Sequence, residues 1–114
     1  MADNDVFCKI VDREIPTNFI YEDAEVVAFN DINPKCDVHI LVVPKKHFDS
    51  VADLAGEEML IIAKMVSVAK KLAEDLGFAE KGYKLHFNVR HGGGQLVEHL
   101  HLHLLSGKCR EGMV

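Results

Sequence analysis

The stretch His99-Leu100-His101-Leu102-His103-Leu104-Leu105, HLHLHLL in one-letter code, holds three of the chain's seven histidines at alternate positions. A period of two is typical of a β-strand, because successive side chains of a strand point to opposite faces of the sheet. We therefore predict a strand over residues 96–105. Its leucines face the core, and its three imidazoles share the other face.

The rest of the chain predicts further strands and one long helix. β-Branched and aromatic residues at 19–21 and 26–29 indicate a hairpin. The nearly continuous apolar run 38–43, which Pro44 closes, predicts a central strand. Apolar residues at every third or fourth position over 57–76 predict an amphipathic helix, and residues 83–89 predict another strand. This order of elements favours an α+β fold on an antiparallel sheet.

Composition indicates the general class of protein. The chain has 114 residues, of which 48% are apolar and 27% charged, which predicts a single soluble domain over residues 1–114. Residues with the pattern of a leader or a membrane span are not found, so we expect a cytoplasmic protein without a membrane partner. The net charge of -5 and the scattered basic residues argue against a nucleic-acid partner.

The chain has an odd number of cysteines. Cys8, Cys36 and Cys109 include no C-x-x-C pair, which argues against a disulfide framework and against a zinc site made of cysteines alone. These features are typical of a protein in a reducing compartment.

Three interpretations of the histidines remain open at this point. The polar face of a one-sided strand tolerates histidine without any function. A metal ion is the second interpretation. Alternate strand residues lie roughly 6.6 Å apart, whereas zinc–nitrogen bonds are about 2 Å long. A metal would therefore need ligands from elsewhere, with His39, His47 and Cys8 as the candidates.

The third interpretation is nucleophilic chemistry on a phosphate. A neutral imidazole can accept a phosphoryl or nucleotidyl group on one nitrogen near pH 7. Gly92-Gly93-Gly94-Gln95 directly precedes the histidines, and a glycine-rich turn can bring backbone N–H donors close to anionic oxygens.

The histidine stretch resembles the His-φ-His-φ-His-φ-φ signature of the histidine triad (HIT) superfamily. Other segments, over about residues 6–107, are similar to its Hint branch, the nucleoside phosphoramidate hydrolases. They include Tyr21-Glu22-Asp23, Asp31-Ile32-Asn33-Pro34, Pro44-Lys45-Lys46-His47 and Gly93-Gly94-Gln95. The resemblance implies a five-stranded antiparallel sheet with one long and one short helix. It also implies a homodimer that continues the sheet across a two-fold axis.

The resemblance implies roles for particular residues. His101 would be the nucleophile, His103 would contact the phosphate, and His99 and His39 would orient the nucleophile and handle protons. The residues implied to contact the purine, the ribose or the phosphate are Phe7, Ile10, Asp31, Ile32, Leu41, Asn88, Gly94, Gln95 and Leu96. In the branch, the tail corresponding to residues 108–114 approaches the partner subunit's site.

The implied reaction is hydrolysis of purine nucleoside 5'-phosphoramidates, which are AMP or GMP conjugates of amines. It would pass through a nucleotidyl-histidine and require no cofactor. Some relatives bind structural zinc through two cysteines, but Asp5 occupies the position of the first; Cys8, His47 and His99 could still form a zinc site. Hydrolysis of dinucleoside polyphosphates is one alternative function. A non-catalytic nucleotide- or zinc-binding regulatory or scaffold protein is another.

Overall fold

A computed structural model describes residues 5–110, which form one five-stranded antiparallel sheet and two helices. The strands are β1 (Phe19–Glu22), β2 (Val26–Asn30), β3 (Cys36–Pro44), β4 (Lys84–His86) and β5 (Leu102–Cys109), and the helices are α1 (Val6–Val11) and α2 (Leu60–Asp75). The strand order is β1-β2-β3-β5-β4, so β3 is central, as its apolar run predicts. The α+β fold with one long and one short helix is confirmed.

The long helix α2 lies within the predicted range. A 3₁₀ turn, Gly56–Met59, precedes it, and Gly77 follows its end with a φ of +86°, the left-handed conformation that glycine adopts at little cost. Its apolar stripe is buried, with Met65 and Ala69 fully inaccessible to solvent. In the range 5–110, neither helix is long and apolar enough to cross a membrane.

The sheet has an apolar layer on each face. Ile40 and Val42 of β3 belong to the cluster that α2 covers, together with Leu100, Leu102 and Leu104. Residues of β3 at the intervening positions, among them Leu41, belong to a second cluster that contains Phe7 of α1. The predicted alternation of the leucines is therefore confirmed, and the histidine face of the sheet is the face that α1 covers.

The two strands next to the site are shorter than predicted. β5 begins at Leu102 rather than at residue 96, and β4 covers only Lys84–His86 of the predicted 83–89. β5 pairs with β3 up to Val42↔Leu102, and the same register would place Pro44 opposite Leu100. Pro44 has no N–H to donate to a ladder. Leu100 instead donates its N–H to the carbonyl of Phe48 at 2.7 Å, which draws the chain away from β3.

The cysteine pattern argues against a disulfide framework, but the structure contains one disulfide within residues 5–110. Cys36 and Cys109 are joined by a disulfide, and they are direct partners in the β3–β5 ladder although 73 residues separate them in sequence. Their pairing depends on the register of two strands, which cysteine spacing does not reveal. Cys8 is buried and is not part of the disulfide.

Candidate active site

A cavity of about 390 Å³ opens on the histidine face of the sheet. Helix α1, strands β3, β4 and β5 and the loops that follow β2 and β4 all contribute to its walls. The sequence-predicted residues that line it are Phe7, Asp31, His39, Leu41, Asn88, Gly94, Leu96, His101 and His103.

Two residues that the resemblance assigns to the purine wall lie elsewhere. Ile10 is buried in the apolar cluster between α1 and the sheet, since the helix turns this side chain towards the strands rather than towards the cavity. Ile32 is fully exposed, because it lies in the loop between β2 and β3 with its side chain in solvent. Neither lines the cavity of this chain.

Gln95 lies behind the cavity rather than on its surface. Its Nε2 donates to the carbonyls of Asp49 at 2.6 Å and Val97 at 2.9 Å, and its Oε1 accepts from the N–H of Arg90 at 2.7 Å. A side chain with all these partners holds the glycine-rich loop in place. Gly94 of that loop does line the cavity, with a φ of +81°.

The histidine with the clearest geometry for nucleophilic attack is His101. Its Nδ1–H donates to the carbonyl of His99 at 2.7 Å, which leaves the lone pair on Nε2. Burial lowers the pKa of His101, so the ring is neutral at pH 7. Phe7 of α1 packs edge-on against it with ring centroids 4.9 Å apart and limits its rotation. The ring therefore presents an unprotonated nitrogen in a fixed orientation.

A chain of hydrogen bonds sets the tautomers of two more histidines. Lys35 donates its backbone N–H to Nδ1 of His39 at 3.0 Å, so His39 carries its proton on Nε2. That Nε2 lies 2.9 Å from Nδ1 of His103 and 3.4 Å from a carboxylate oxygen of Asp31. When His39 donates to His103, the proton of His103 must be on its Nε2. The ring of His103 is then a hydrogen-bond donor at the cavity.

Both of these histidines are neutral at pH 7. Burial lowers the pKa of His39. Burial, together with the neighbouring rings of His101, His39 and His86, lowers the pKa of His103 to about 3. An anion in this cavity would therefore meet neutral imidazole donors rather than imidazolium charges.

Sequence reasoning missed four residues of the cavity wall, Asn33, Lys35, His86 and Val97. The signal for His86 was present in the sequence. His86 and Asn88 are two positions apart and so share a face, and Asn88 Nδ2 lies 3.2 Å from Nε2 of His86. Asn88 Nδ2 also donates to the carbonyl of Gly93 at 2.7 Å, which ties the glycine-rich loop to the end of β4.

A second cluster of polar side chains lies behind His101. Asp5, Cys8, His47 and His99 direct one ligand atom each towards a common centre. Nδ1 of His47 lies 3.2 Å from Nδ1 of His99 and 3.1 Å from Oδ2 of Asp5, and Sγ of Cys8 lies 3.3 Å from both imidazole nitrogens. A tetrahedral ion with bonds of about 2 Å would separate its ligands by roughly 3.3 Å. The spacing of the four atoms fits a zinc ion.

Hydrogen bonds outside this cluster determine its tautomers. Nε2 of His47 lies 2.6 Å from a carboxylate oxygen of Asp49, and Nε2 of His99 lies 3.0 Å from the carbonyl of Pro44. In the neutral form of each ring, these acceptors place the proton on Nε2 and leave the lone pair on Nδ1. Asp5 adds an acceptor oxygen. With both rings in this form, the thiol of Cys8 is the group among these four that can donate a hydrogen bond to the others. These four residues could hold a metal ion.

Comparison with known proteins gives matches over nearly the whole chain. Residues 4–113 match the family described as the scavenger mRNA decapping enzyme C-terminal binding domain. A purine nucleoside phosphoramidase of Escherichia coli strain K12 is 44% identical over 108 residues, which cover 95% of this chain and 91% of the relative. Protein HitA of Neisseria gonorrhoeae is 45% identical over 103 residues, covering 90% of this chain and 95% of the relative.

Solved structures are similar over the same range. A HIT family hydrolase from Legionella pneumophila Philadelphia 1 superposes with a TM-score of 0.88 at 46% identity, covering 92% of this chain and 94% of the other. A histidine triad protein from Clostridium difficile superposes with a TM-score of 0.89, also at 46% identity, covering 96% and 95%. At this identity, similarity of fold and of ancestry are both established.

Proposed function

The chain belongs to the Hint-like branch of the histidine triad superfamily, a family that includes hydrolases, and on that premise we propose that it hydrolyses purine nucleoside 5'-phosphoramidates. The substrates would be AMP or GMP joined to an amine through a P–N bond. The observation that carries the proposal is the hydrogen bond of His101 Nδ1–H to the carbonyl of His99, which leaves Nε2 as a nucleophile. The 44% identity to a purine nucleoside phosphoramidase supports the choice of substrate.

The proposed reaction has two displacement steps. Nε2 of His101 attacks the α-phosphorus, the P–N bond breaks, and the leaving nitrogen takes a proton from solvent water and departs as an amine. A second water then attacks the same phosphorus and gives up a proton to solvent, the His101–phosphorus bond breaks, and the nucleoside monophosphate is released with His101 restored. A covalent intermediate divides one difficult displacement into two easier ones.

Charge that develops on the phosphate oxygens needs donors in fixed positions. Nε2–H of His103 is one such donor, because His39 and the N–H of Lys35 fix its tautomer. Gly94 lies on the cavity wall, where a Cβ would contact Nδ2 of Asn88 at 3.5 Å. Glycine at this position lets the phosphate come close to the loop.

The test is release of AMP from an AMP–lysine phosphoramidate by wild type and His101→Ala. We expect wild type to turn over and His101→Ala to lose about 10³-fold or more in kcat and to form no nucleotidylated protein by mass spectrometry. His91→Ala is the matched control, because His91 is exposed and does not line the cavity. Its rate should stay within a factor of a few of wild type.

The outcomes separate the alternatives. Equal turnover by wild type and His101→Ala would contradict the covalent mechanism. AMP binding without turnover of the phosphoramidate would favour a non-catalytic nucleotide-binding protein, and turnover of a dinucleoside polyphosphate alone would favour the other hydrolase activity.

We also propose that Asp5, Cys8, His47 and His99 hold a zinc ion that has a structural role. When bound, such an ion contributes its binding free energy to folding and takes no part in the displacement. The proposal rests on four convergent ligand atoms whose outer hydrogen bonds leave lone pairs towards the centre. Asp5 has a second role, since its Oδ1 accepts from the N–H of Cys8 at 2.7 Å and caps α1.

Elemental analysis of protein purified without added zinc tests this proposal. We expect about one zinc per chain in wild type and a clear loss of zinc in His47→Ala, with a lower melting temperature that added zinc does not restore. Asp12→Ala, which removes an exposed carboxylate at the other end of α1, should retain the metal. Wild-type protein that takes up no zinc at all, even on addition, would rule out the site.

A further inference from the structure

The disulfide between Cys36 and Cys109 is next in sequence to Lys35, a residue of the cavity wall. It joins the first residue of β3 to the last residue of β5. The ladder between these strands is regular from Val38 to Val42, but its register shifts between Cys36 and Val38. The pairing at the strand ends is therefore separated from the regular ladder and depends on local bonds.

Those local bonds lead directly to the cavity. Arg110, next to Cys109, donates its N–H to the carbonyl of Lys35 at 2.8 Å, and Lys35 is next to Cys36 and lines the cavity. Lys35 in turn donates its N–H to Nδ1 of His39, the bond that sets the tautomers of His39 and His103. The disulfide thus holds the residue from which the histidine hydrogen-bond chain begins.

The two cysteine residues differ in exposure to solvent. Cys36 is 7% exposed, whereas Cys109 is partly exposed. An incoming thiolate can therefore attack Sγ of Cys109 and release the sulfur of Cys36 as the leaving group. Access of this kind is what a disulfide needs for exchange with small thiols.

We propose that Cys36 and Cys109 form a reversible thiol–disulfide pair that controls nucleotide binding through Lys35 and His39. The identification of the ligand as a nucleotide rests on the proposed function, whereas the thiol chemistry of the two cysteines is independent of it. In the oxidising direction, the two thiols react with a small-molecule disulfide such as glutathione disulfide. The S–S bond between Cys36 and Cys109 forms, the S–S bond of the oxidant breaks, and its two halves leave as thiols with the two protons. A dithiol reverses the reaction.

In the reduced protein the strand ends are joined by hydrogen bonds alone. The bond from Arg110 to Lys35 then opens more often, because the covalent link no longer holds its two ends together. Each opening frees Lys35 and removes the donor that fixes His39. The protein must then order this loop when it binds nucleotide, which weakens the binding.

The experiment compares wild type in glutathione disulfide with wild type after reduction by a dithiol. Alkylation under denaturing conditions and mass spectrometry first report which cysteines are bonded. Calorimetry then measures the Kd for AMP, and hydrogen exchange measures the protection of amides over residues 31–39. We expect AMP to bind about fivefold more weakly to the reduced form, with faster exchange in this segment.

The double variant Cys36→Ser/Cys109→Ser is the matched control. It should behave like reduced wild type under both conditions, and because it retains Cys8 it also reveals any effect of that thiol. The comparison of oxidised with reduced wild type involves no substitution, so the result does not depend on whether the double variant folds.

Two results would overturn the proposal. One is alkylation of both Cys36 and Cys109 after incubation with glutathione disulfide. The other is a bond that forms while AMP affinity and amide exchange stay the same in both states. If neither state binds AMP, the proposed function loses its ligand, and the exchange over residues 31–39 alone decides whether the disulfide controls this loop.

Discussion

At the scale of single residues, one repeated motif gives its three histidines three different environments. His99 is fully buried, and its Nδ1 belongs to the cluster with Asp5, Cys8 and His47. His101 is buried beside Phe7 with Nε2 unprotonated, and His103 receives a hydrogen bond from His39. Identical side chains acquire different chemistry because each has one ring nitrogen bound to a different partner.

The depressed pKa of His103 predicts how stability depends on pH. The pKa is about 3 in the folded protein and about 6.5 in the unfolded chain. Between these values the unfolded state binds more protons, so the stabilisation present above pH 6.5 is lost as the pH falls towards 3. His103→Asn should reduce the slope of unfolding free energy against pH by up to about 1.4 kcal/mol per unit in this window.

Urea denaturation at several pH values between 4 and 7 measures that slope. The rings that face His103 are His101, His39 and His86, so the difference between variant and wild type reports the removal of His103 from a coupled group. Parallel curves for the two proteins would show that His103 does not titrate with a depressed pKa.

At the scale of elements, apolar periodicity predicted the helix and the strand that form the core. The helix 57–76 and the strand 38–43 overlap α2 and β3, and the leucines of the histidine stretch face α2. The limits of β4 and β5 could not be predicted in the same way. The start of β5 depends on the missing N–H of Pro44 and on a bond from Leu100 to Phe48, and β4 pairs with β5 only up to His86↔His103, close to that start. These contacts involve residues far apart in sequence.

The same distinction applies to the candidate site. The motif pointed to His101 and His103, because alternation on a strand is a local property. The exposure of Ile32, the burial of Gln95 behind its loop and the pairing of Cys36 with Cys109 depend on tertiary packing or strand register. The same alternation would have predicted His86 as a site residue, since it precedes Asn88 by two positions and so shares its face.

The packing of α2 on the sheet leads to a prediction for the core. Met65 is fully buried between the helix and the sheet, so Met65→Ala should cost about 2–5 kcal/mol of stability through lost burial and a residual cavity. Leu60→Ala in the same helix is the control. Its side chain is 70% exposed, and the change should stay within about 0.5 kcal/mol. Chemical denaturation of both variants checks the difference, and equal losses would contradict this packing.

At the scale of the whole molecule, the sheet leaves two edge strands, β1 and β4. The family resemblance implies a homodimer that continues the sheet, and we propose that β4 is the edge that pairs with its copy. β1 carries Glu22, which forms ion pairs with Arg13 at 2.7 Å and Lys45 at 2.9 Å. Charged side chains of this kind protect an edge from pairing. β4 exposes Leu85, 39% accessible to solvent, beside the exposed Lys84, and β1 exposes Ile20 to a similar extent, so the ion pairs of Glu22 are the feature that distinguishes the two edges.

Substitutions at the two edges test this choice. In a two-fold dimer the same strand meets its own copy, so Leu85→Lys would bring two like charges together and remove apolar contact. We expect wild type to be a dimer by light scattering and Leu85→Lys to be a folded monomer. Ile20→Lys is the matched control on β1, where the isoleucine is 36% exposed, and it should remain dimeric. Loss of the dimer in Ile20→Lys alone would assign the interface to β1. A wild-type monomer would contradict the homodimer that the family resemblance implies.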